Sequence, residues 1–393
     1  MNLNHIRIIK VLPLALIYFS PVTHAAEWSL TGNLNPSAEY DDNTFLSNDE
    51  ESSMHYAVTP TLTIARGLEN SEMSLSLGYQ IDKYIAISDN DTENPFIELN
   101  SSYNTERSQY GLAMSYKEDT TRNNAVEDTG DFTTRSTVRT RSINPSYGYQ
   151  LTERDSLSLT AGYSEREYST DDFSDNETKS LSAGWQREFS ERLSAGLDLT
   201  ASNYQADSSI SSTDDDTYGI ATSFTYELSE LWDISGSIGL RRLNSERKTA
   251  GITNSDQSSG STLDFSATRT REIDTFTINL ARVLSPSSDG DVNEQDRLSM
   301  SWSRNLSERL TMGADFSYQE STNASDDSSD EKRENINFSP ALTWSIEENL
   351  DLIMAYSYRK QKRSGGSSAG SSNDSNAISL TLSYNWEGIR FSR

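Results

Sequence analysis

Catalysis needs a base, a nucleophile or a metal-binding set, and this chain is nearly bare of all three. Cysteine is absent and the histidines are His5, His24 and His55. That excludes thiolate metal sites, haem attachment and cysteine nucleophiles. His55 sits alone on a stretch that reads as a strand, with no nucleophile or orienting acid at a readable spacing, so it is expected to be structural rather than a general base. No Gly-rich phosphate loop and no HExxH sequence occurs. The expectation is a protein that is not an enzyme, with no catalytic, cofactor-binding or metal residues. What remains is acid: 60 Asp and Glu against 33 Lys and Arg, a net charge of −27, which argues against nucleic acid as a partner. Asp214-Asp215-Asp216 and Asp326-Asp327 are its dense points. Carboxylates suit hard cations, so weak Ca2+ association with acidic loops is the one cofactor-like chemistry on offer. None of these clusters has the Asp-x-Asp-x-Asp-Gly spacing of a specific site.

Residues 1–25 read as a cleaved signal peptide: His5, Arg7 and Lys10, then an apolar run from Val11 to Phe19, then small residues ending at Thr23-His24-Ala25. That run is too short to cross a bilayer as a helix. Residues 26–393 are left as a single domain whose first strand is expected within three residues of the cleavage point. That leaves no room for an N-terminal plug.

Only 34% of the chain is hydrophobic, yet 19 Tyr, 12 Phe and 6 Trp recur at regular intervals, which a disordered acidic chain would lack. Hydrophobicity alternates with period two. Leu193, Ala195, Leu197 and Leu199 oppose Ser194, Gly196, Asp198 and Thr200; Ile378, Leu380, Leu382, Tyr384 and Trp386 oppose Ser379, Thr381, Ser383, Asn385 and Glu387. Similar turns recur, among them Leu151-Thr152-Glu153-Arg154, Phe189-Ser190-Glu191-Arg192 and Leu306-Ser307-Glu308-Arg309, each followed by a strand opening on an apolar residue. The period is that of a β-hairpin. Strands are expected near 28–40, 53–66, 71–84, 95–105, 108–118, 135–150, 155–168, 178–189, 192–205, 217–228, 231–245, 261–271, 274–284, 296–305, 309–320, 334–346, 349–361 and 376–391. Pro60, Pro145 and Pro340 fall inside strands and read as bulge or kink positions, since each removes a ladder donor.

The apolar segments are about ten residues long with aromatic ends, and the opposite face is Ser, Thr, Gly, Asn and Asp. A lipid-facing band with aromatic girdles around a polar lumen has this pattern. The fold class is therefore all-β: a transmembrane antiparallel up-and-down barrel of about 18 strands (16–20), both termini periplasmic, in the outer membrane of a Gram-negative bacterium. Its surroundings are outer-membrane lipid and lipopolysaccharide. Eight tight turns face the periplasm, and nine longer loops, carrying most of the acid, face outward.

The first strand and loop read Tyr40-Asp41-Asp42-Asn43-Thr44-Phe45-Leu46. Together with the Leu-Ser/Thr-Glu-Arg turns, this resembles a family of outer-membrane barrels encoded near exopolysaccharide and exosortase gene clusters. The resemblance implies passage of a secreted polysaccharide chain, as in biofilm matrix export, beside periplasmic export and co-polymerase proteins. The chain departs from the usual terminal aromatic by running on to Phe391-Ser392-Arg393, and Phe391 is expected to serve in its place.

Three functions fit. A polysaccharide export pore fits an inner wall of small hydroxyl residues with scattered charges at Asp198, Asp264, Asp315, Arg241 and Arg297. A general or solute-specific diffusion porin would be marked by a long loop folded inward with facing acidic and basic ladders, which the loop lengths do not announce. An adhesive or structural surface protein fits the acidic loops. For an export pore, the longer outer loops are the available gates, and removal of loop residues 119–134 or 321–333 is expected to raise conductance.

Overall fold

The computed structural model describes residues 26–392 except 127, 325–330 and 366–369. The signal-peptide expectation for residues 1–25 and the Asp326-Asp327 pair lie outside the described residues. Eighteen strands follow one another: β1 (Glu27–Asp41), β2 (Ser53–Leu68), β3 (Ser71–Tyr84), β4 (Thr92–Asn104), β5 (Ser108–Thr120), β6 (Thr137–Gln150), β7 (Asp155–Tyr168), β8 (Asp175–Ser190), β9 (Leu193–Asp207), β10 (Ser211–Ser229), β11 (Trp232–Thr249), β12 (Ile252–Thr270), β13 (Asp274–Pro286), β14 (Val292–Ser307), β15 (Leu310–Asn323), β16 (Lys332–Glu347), β17 (Leu350–Ser364) and β18 (Ser372–Ser392). Each pairs antiparallel with its neighbours in sequence, and β1 pairs with β18, so the sheet closes into a ring. Closure is what lets a sheet cross lipid, because the first and last strands then satisfy each other's backbone groups.

The period-two pattern sets the faces. Leu34, Leu62, Leu159, Leu197, Leu199, Ile220 and Leu380 are all exposed on the outside, where a water-soluble fold would hide them. Trp28 stacks on Phe391, ring centroids 6.4 Å apart, where the first and last strands meet. That contact depends on Gly388. An extra residue there shifts the β1–β18 register between Leu30 and Gly32, which moves Phe391 onto the lipid face. Gly388 takes φ +77, and a Cβ would fall 1.7 Å from the Leu30 carbonyl oxygen, so only glycine fits.

Three expectations need correction. The prolines are not bulges: the register runs unbroken past Pro60, Pro145 and Pro340, which only leave pairs out of the ladder on one side. The predicted loops around 206–216 and 246–260 are largely strand, because β10, β11 and β12 extend well above the apolar band. There both faces meet water or protein, so polar residues occupy both and the alternation vanishes although hydrogen bonding continues. Asp214-Asp215-Asp216 accordingly lies within β10, not in a loop, and Asp215 is buried.

Candidate channel constriction

The segment 121–136 joining β5 to β6 begins with a single 3-10 turn, Thr121–Asn124. It then runs inward. Ala125 and Phe132 are buried against Leu46 of the first loop, with Val126 packed on them. The Arg122 guanidinium bonds the Tyr84 hydroxyl and lies 4.6 Å over the Tyr84 ring. Gly130 donates its N–H to the Ala125 carbonyl at 2.6 Å. At φ +70, with the Arg333 Cδ 2.3 Å from where a Cβ would stand, position 130 accepts only glycine. Asp131 ties the return, accepting from the Thr133 N–H at 2.8 Å and the Thr134 N–H at 3.2 Å. Burial alone would raise its carboxyl, but the hydrogen bonds from Thr134 and Thr133 outweigh that and leave it below the ordinary value.

The far end of this segment is held by the opposite wall. Arg333 of β16 donates to the Thr129 and Asp128 carbonyls. Gln361 and Arg363 of β17 donate to the Gly130 carbonyl at 3.0 and 2.7 Å, and Gln319 of β15 to the Val126 carbonyl at 3.0 Å. The Asp128 carboxylate accepts from the Ser287 hydroxyl at 3.0 Å and the Ser288 N–H at 2.6 Å, in the β13–β14 loop. In a ring of eighteen, β15 stands nine strands from β6, so the segment crosses the whole lumen.

The β13–β14 loop leans in as well. The Tyr204 hydroxyl of β9 donates to the Ser287 carbonyl at 2.6 Å, and the Ser174 N–H to the Ser288 carbonyl at 2.8 Å. Asp289 in this loop is still reached by water, but surrounding protein and the nearby Asp128 carboxylate raise its carboxyl to about 6.

The residues singled out in the sequence are dispersed, not gathered into one site. Asp198 faces the lumen and accepts from the Ser223 hydroxyl at 2.7 Å. Asp264 and Asp315 are exposed on the same inner face, in register with Ser237 and Ala281, and with Ser301 and Ser339. Arg241 and Arg297 stand higher, against the inward loops. Arg241 is buried and ion-paired to Glu294, and Arg297 bonds Gln295. The Tyr40-Asp41-Asp42-Asn43 segment is a clamp. Tyr40 is exposed on the outer face; Asp41 accepts from Arg359 and from the Ser375 hydroxyl, Asp42 from the Asn376 N–H and amide, and the Asn43 amide holds the Ser47 and Asp374 carbonyls. His55 is also a wall residue, bonded to Asp82 at 2.8 Å and stacked on Tyr84. Among the described residues, no group of three or more His, Cys, Asp or Glu could hold a metal ion.

The inner wall has a charge order the sequence reading missed. In the lower half of the strands, nearest the turns, inner-face charges are carboxylates, among them Glu72, Glu98, Asp198, Asp233, Asp264, Asp315 and Asp351; Arg390 is the exception. The inner-face guanidiniums Arg241, Arg297, Arg333, Arg359 and Arg363 stand above them on β11, β14, β16 and β17, and the inward carboxylates Asp41, Asp82, Asp119 and Asp215 stand at the upper level on β1, β3, β5 and β10. Inner and outer parity were readable from the alternation, and applying it to every Lys and Arg would have found this order.

A closed eighteen-stranded antiparallel wall, apolar outside and polar inside, defines a multi-pass β-barrel of the Gram-negative outer membrane. No family model matches the chain, and no curated protein sequence does. Solved structures do. The chain is similar to OccK2 (OpdF) of Pseudomonas aeruginosa, with a TM-score of 0.50, 10% identity, and coverage of 91% of this chain and 97% of that one. OpdL of the same organism gives 0.47 at 12% identity, covering 93% and 99%. The FrpB iron transporter of Neisseria meningitidis gives 0.49 at 9%, covering 91% and 82%. At these identities the likeness is one of fold.

Proposed function

We propose that this barrel is a constricted diffusion channel for small polar solutes, uncharged or cationic. The observation that carries the proposal is segment 121–136, held across the lumen by the far wall. An inward-folded loop bordered by opposed charges is what a diffusion porin uses to narrow its lumen. Selectivity follows from the acidic lower wall, because a low-dielectric cleft lined by one sign of charge concentrates the opposite ion. Anions that pass the guanidiniums on β11, β14, β16 and β17 then meet an unfavourable field along the lower wall, so cations pass preferentially. Reversal potentials across planar bilayers in a KCl gradient test this. Cation selectivity supports the proposal, and anion selectivity refutes it.

Export of a secreted polysaccharide is the second reading. It draws on the Ser, Thr, Gly and Asn of the inner wall and on the exopolysaccharide-associated resemblance, with periplasmic export and co-polymerase proteins as partners. It requires segment 121–136 to swing out, and it favours a neutral or cationic polymer over an acidic one. A deletion strain that keeps growth on small sugars and loses surface polysaccharide would establish this reading over the first.

A further inference from the structure

The wall is not uniform. Pairing of β11 with β12 is continuous from Trp232↔Arg269 to Thr249↔Ile252. Pairing of β12 with β13 stops at Leu263↔Arg282, after eight residue pairs, and among the described residues the upper half of β12 pairs with no strand on that side, where the Ser258 hydroxyl donates to the Ala324 carbonyl at 2.9 Å. The cause is the inward lean of β13 and β14. Glu294 has outward parity on β14 and Arg241 inward parity on β11, yet the two form an ion pair. They can meet only if the upper β13–β14 hairpin has left the wall and lies behind β11 and β12.

The seam opens at a depth still covered by lipid. Leu240, 68% exposed, is in register with Ser261, so the unpaired edge of β12 begins beside an apolar, lipid-facing residue. An open sheet edge in the hydrocarbon is costly unless something covers it. A cavity of about 500 Å3 lies there. Outward Ile238, Leu263, Leu280 and Leu298 line it, together with the Arg282–Asp296 ion pair. Inward Ala281 and Arg297 also line it, and both border a second cavity of about 390 Å3 beneath Val126 and Phe132 of the crossing segment. The Arg297 Nε is buried without a hydrogen-bond partner among the described residues.

We propose that the β12–β13 seam is a lateral portal and binding site for a single-chain amphiphile, linking the lumen beneath segment 121–136 to the outer leaflet. The alkyl chain lies along Ile238, Leu263, Leu280 and Leu298. The polar head reaches Arg297 and the open edge of β12. A space of this size holds one drug-sized molecule, not a whole diacyl lipid. The portal does not depend on which solute the main channel passes.

The chain has no cysteine, so single labels can be placed cleanly. Three variants of the full chain, Ala281→Cys (inward, at the seam), Ala221→Cys (inward, in continuous wall) and Leu199→Cys (lipid-facing), each carry a fluorophore in phosphatidylcholine vesicles. Each is first checked for barrel closure by its faster gel migration unheated. The vesicles are titrated with nitroxide-labelled stearate. The portal predicts saturable quenching at 281, half-complete at a stearate content roughly tenfold below that for 199, the factor that about 1.4 kcal/mol of site preference confers. Position 221 stays unquenched. Absence of quenching at 281 overturns the portal. Quenching at 281 that rises linearly alongside 199 means that bulk lipid merely wets the seam, and overturns the binding site.

Discussion

Arg333→Ala should unlatch the crossing segment. Seven hydrogen bonds hold its tip to the far side of the lumen, and Arg333 supplies two of them. Bonds from a charged donor contribute about 1.5–3 kcal/mol each, and lumen water that replaces the guanidinium favours the lower end of that range. The loss is then about 3 kcal/mol, a shift of roughly a hundredfold in the ratio of released to held segment. In planar bilayers the native channel should show a small, quiet conductance, and Arg333→Ala should flicker to a larger level. Adding Arg363→Ala should leave it mostly in that level. Arg333→Lys separates geometry from charge, since it keeps the charge but not the fork that reaches both carbonyls, and should also flicker. Strand pairing and the lipid face are untouched, so all three should still migrate as closed barrels. Conductance and noise identical to the native protein in the double variant would refute the reasoning.

Other outcomes follow from the same geometry. Leu197→Arg puts a charge on the lipid face at mid-wall and should cost about 2–4 kcal/mol, read as loss of outer-membrane assembly, while Asp198→Arg, facing the lumen, should assemble; equal defects would mean the faces are reversed. Replacing Asp198, Asp264 and Asp315 together by Asn should lower the potassium-to-chloride permeability ratio without changing assembly, and an unchanged ratio would remove the acidic wall from the selectivity argument. Asp289, its carboxyl raised, binds a proton more tightly in the closed mouth than when free. Closure is therefore favoured in acid and loses that advantage as pH rises to about 6. Conductance should be lower near pH 5 than near pH 7. Asp289→Asn should flatten that dependence; Asp131, whose carboxyl is lowered, stays ionised across the same window.

The barrel was legible because lipid on one side and water on the other force every membrane-crossing strand into the same alternation. The Leu193–Thr200 and Ile378–Glu387 stretches show it residue by residue, and the strand number of eighteen followed. Where that asymmetry ends, so did legibility. β10, β11 and β12 continue upward with Ser, Thr, Asp and Arg on both faces, and their ends were misplaced. The crossing segment was visible as a long loop, but not its direction, because its anchors Arg333, Gln361 and Arg363 lie some two hundred residues later, on strands brought opposite only by closure of the ring. Arg241 shows the same limit: alternation placed it inside, but its partner Glu294 is reached only through the lean of the β13–β14 hairpin.

The central claim is a water-filled barrel with an acidic wall, narrowed by one segment held across it. It is tested most directly by single-channel current in a KCl gradient, recorded for the full protein and for the same protein with residues 123–133 replaced by a short Gly-Ser link. The account predicts a small cation-selective current in the first and a severalfold larger, still cation-selective current in the second. No current in either, or the same conductance in both, would contradict it.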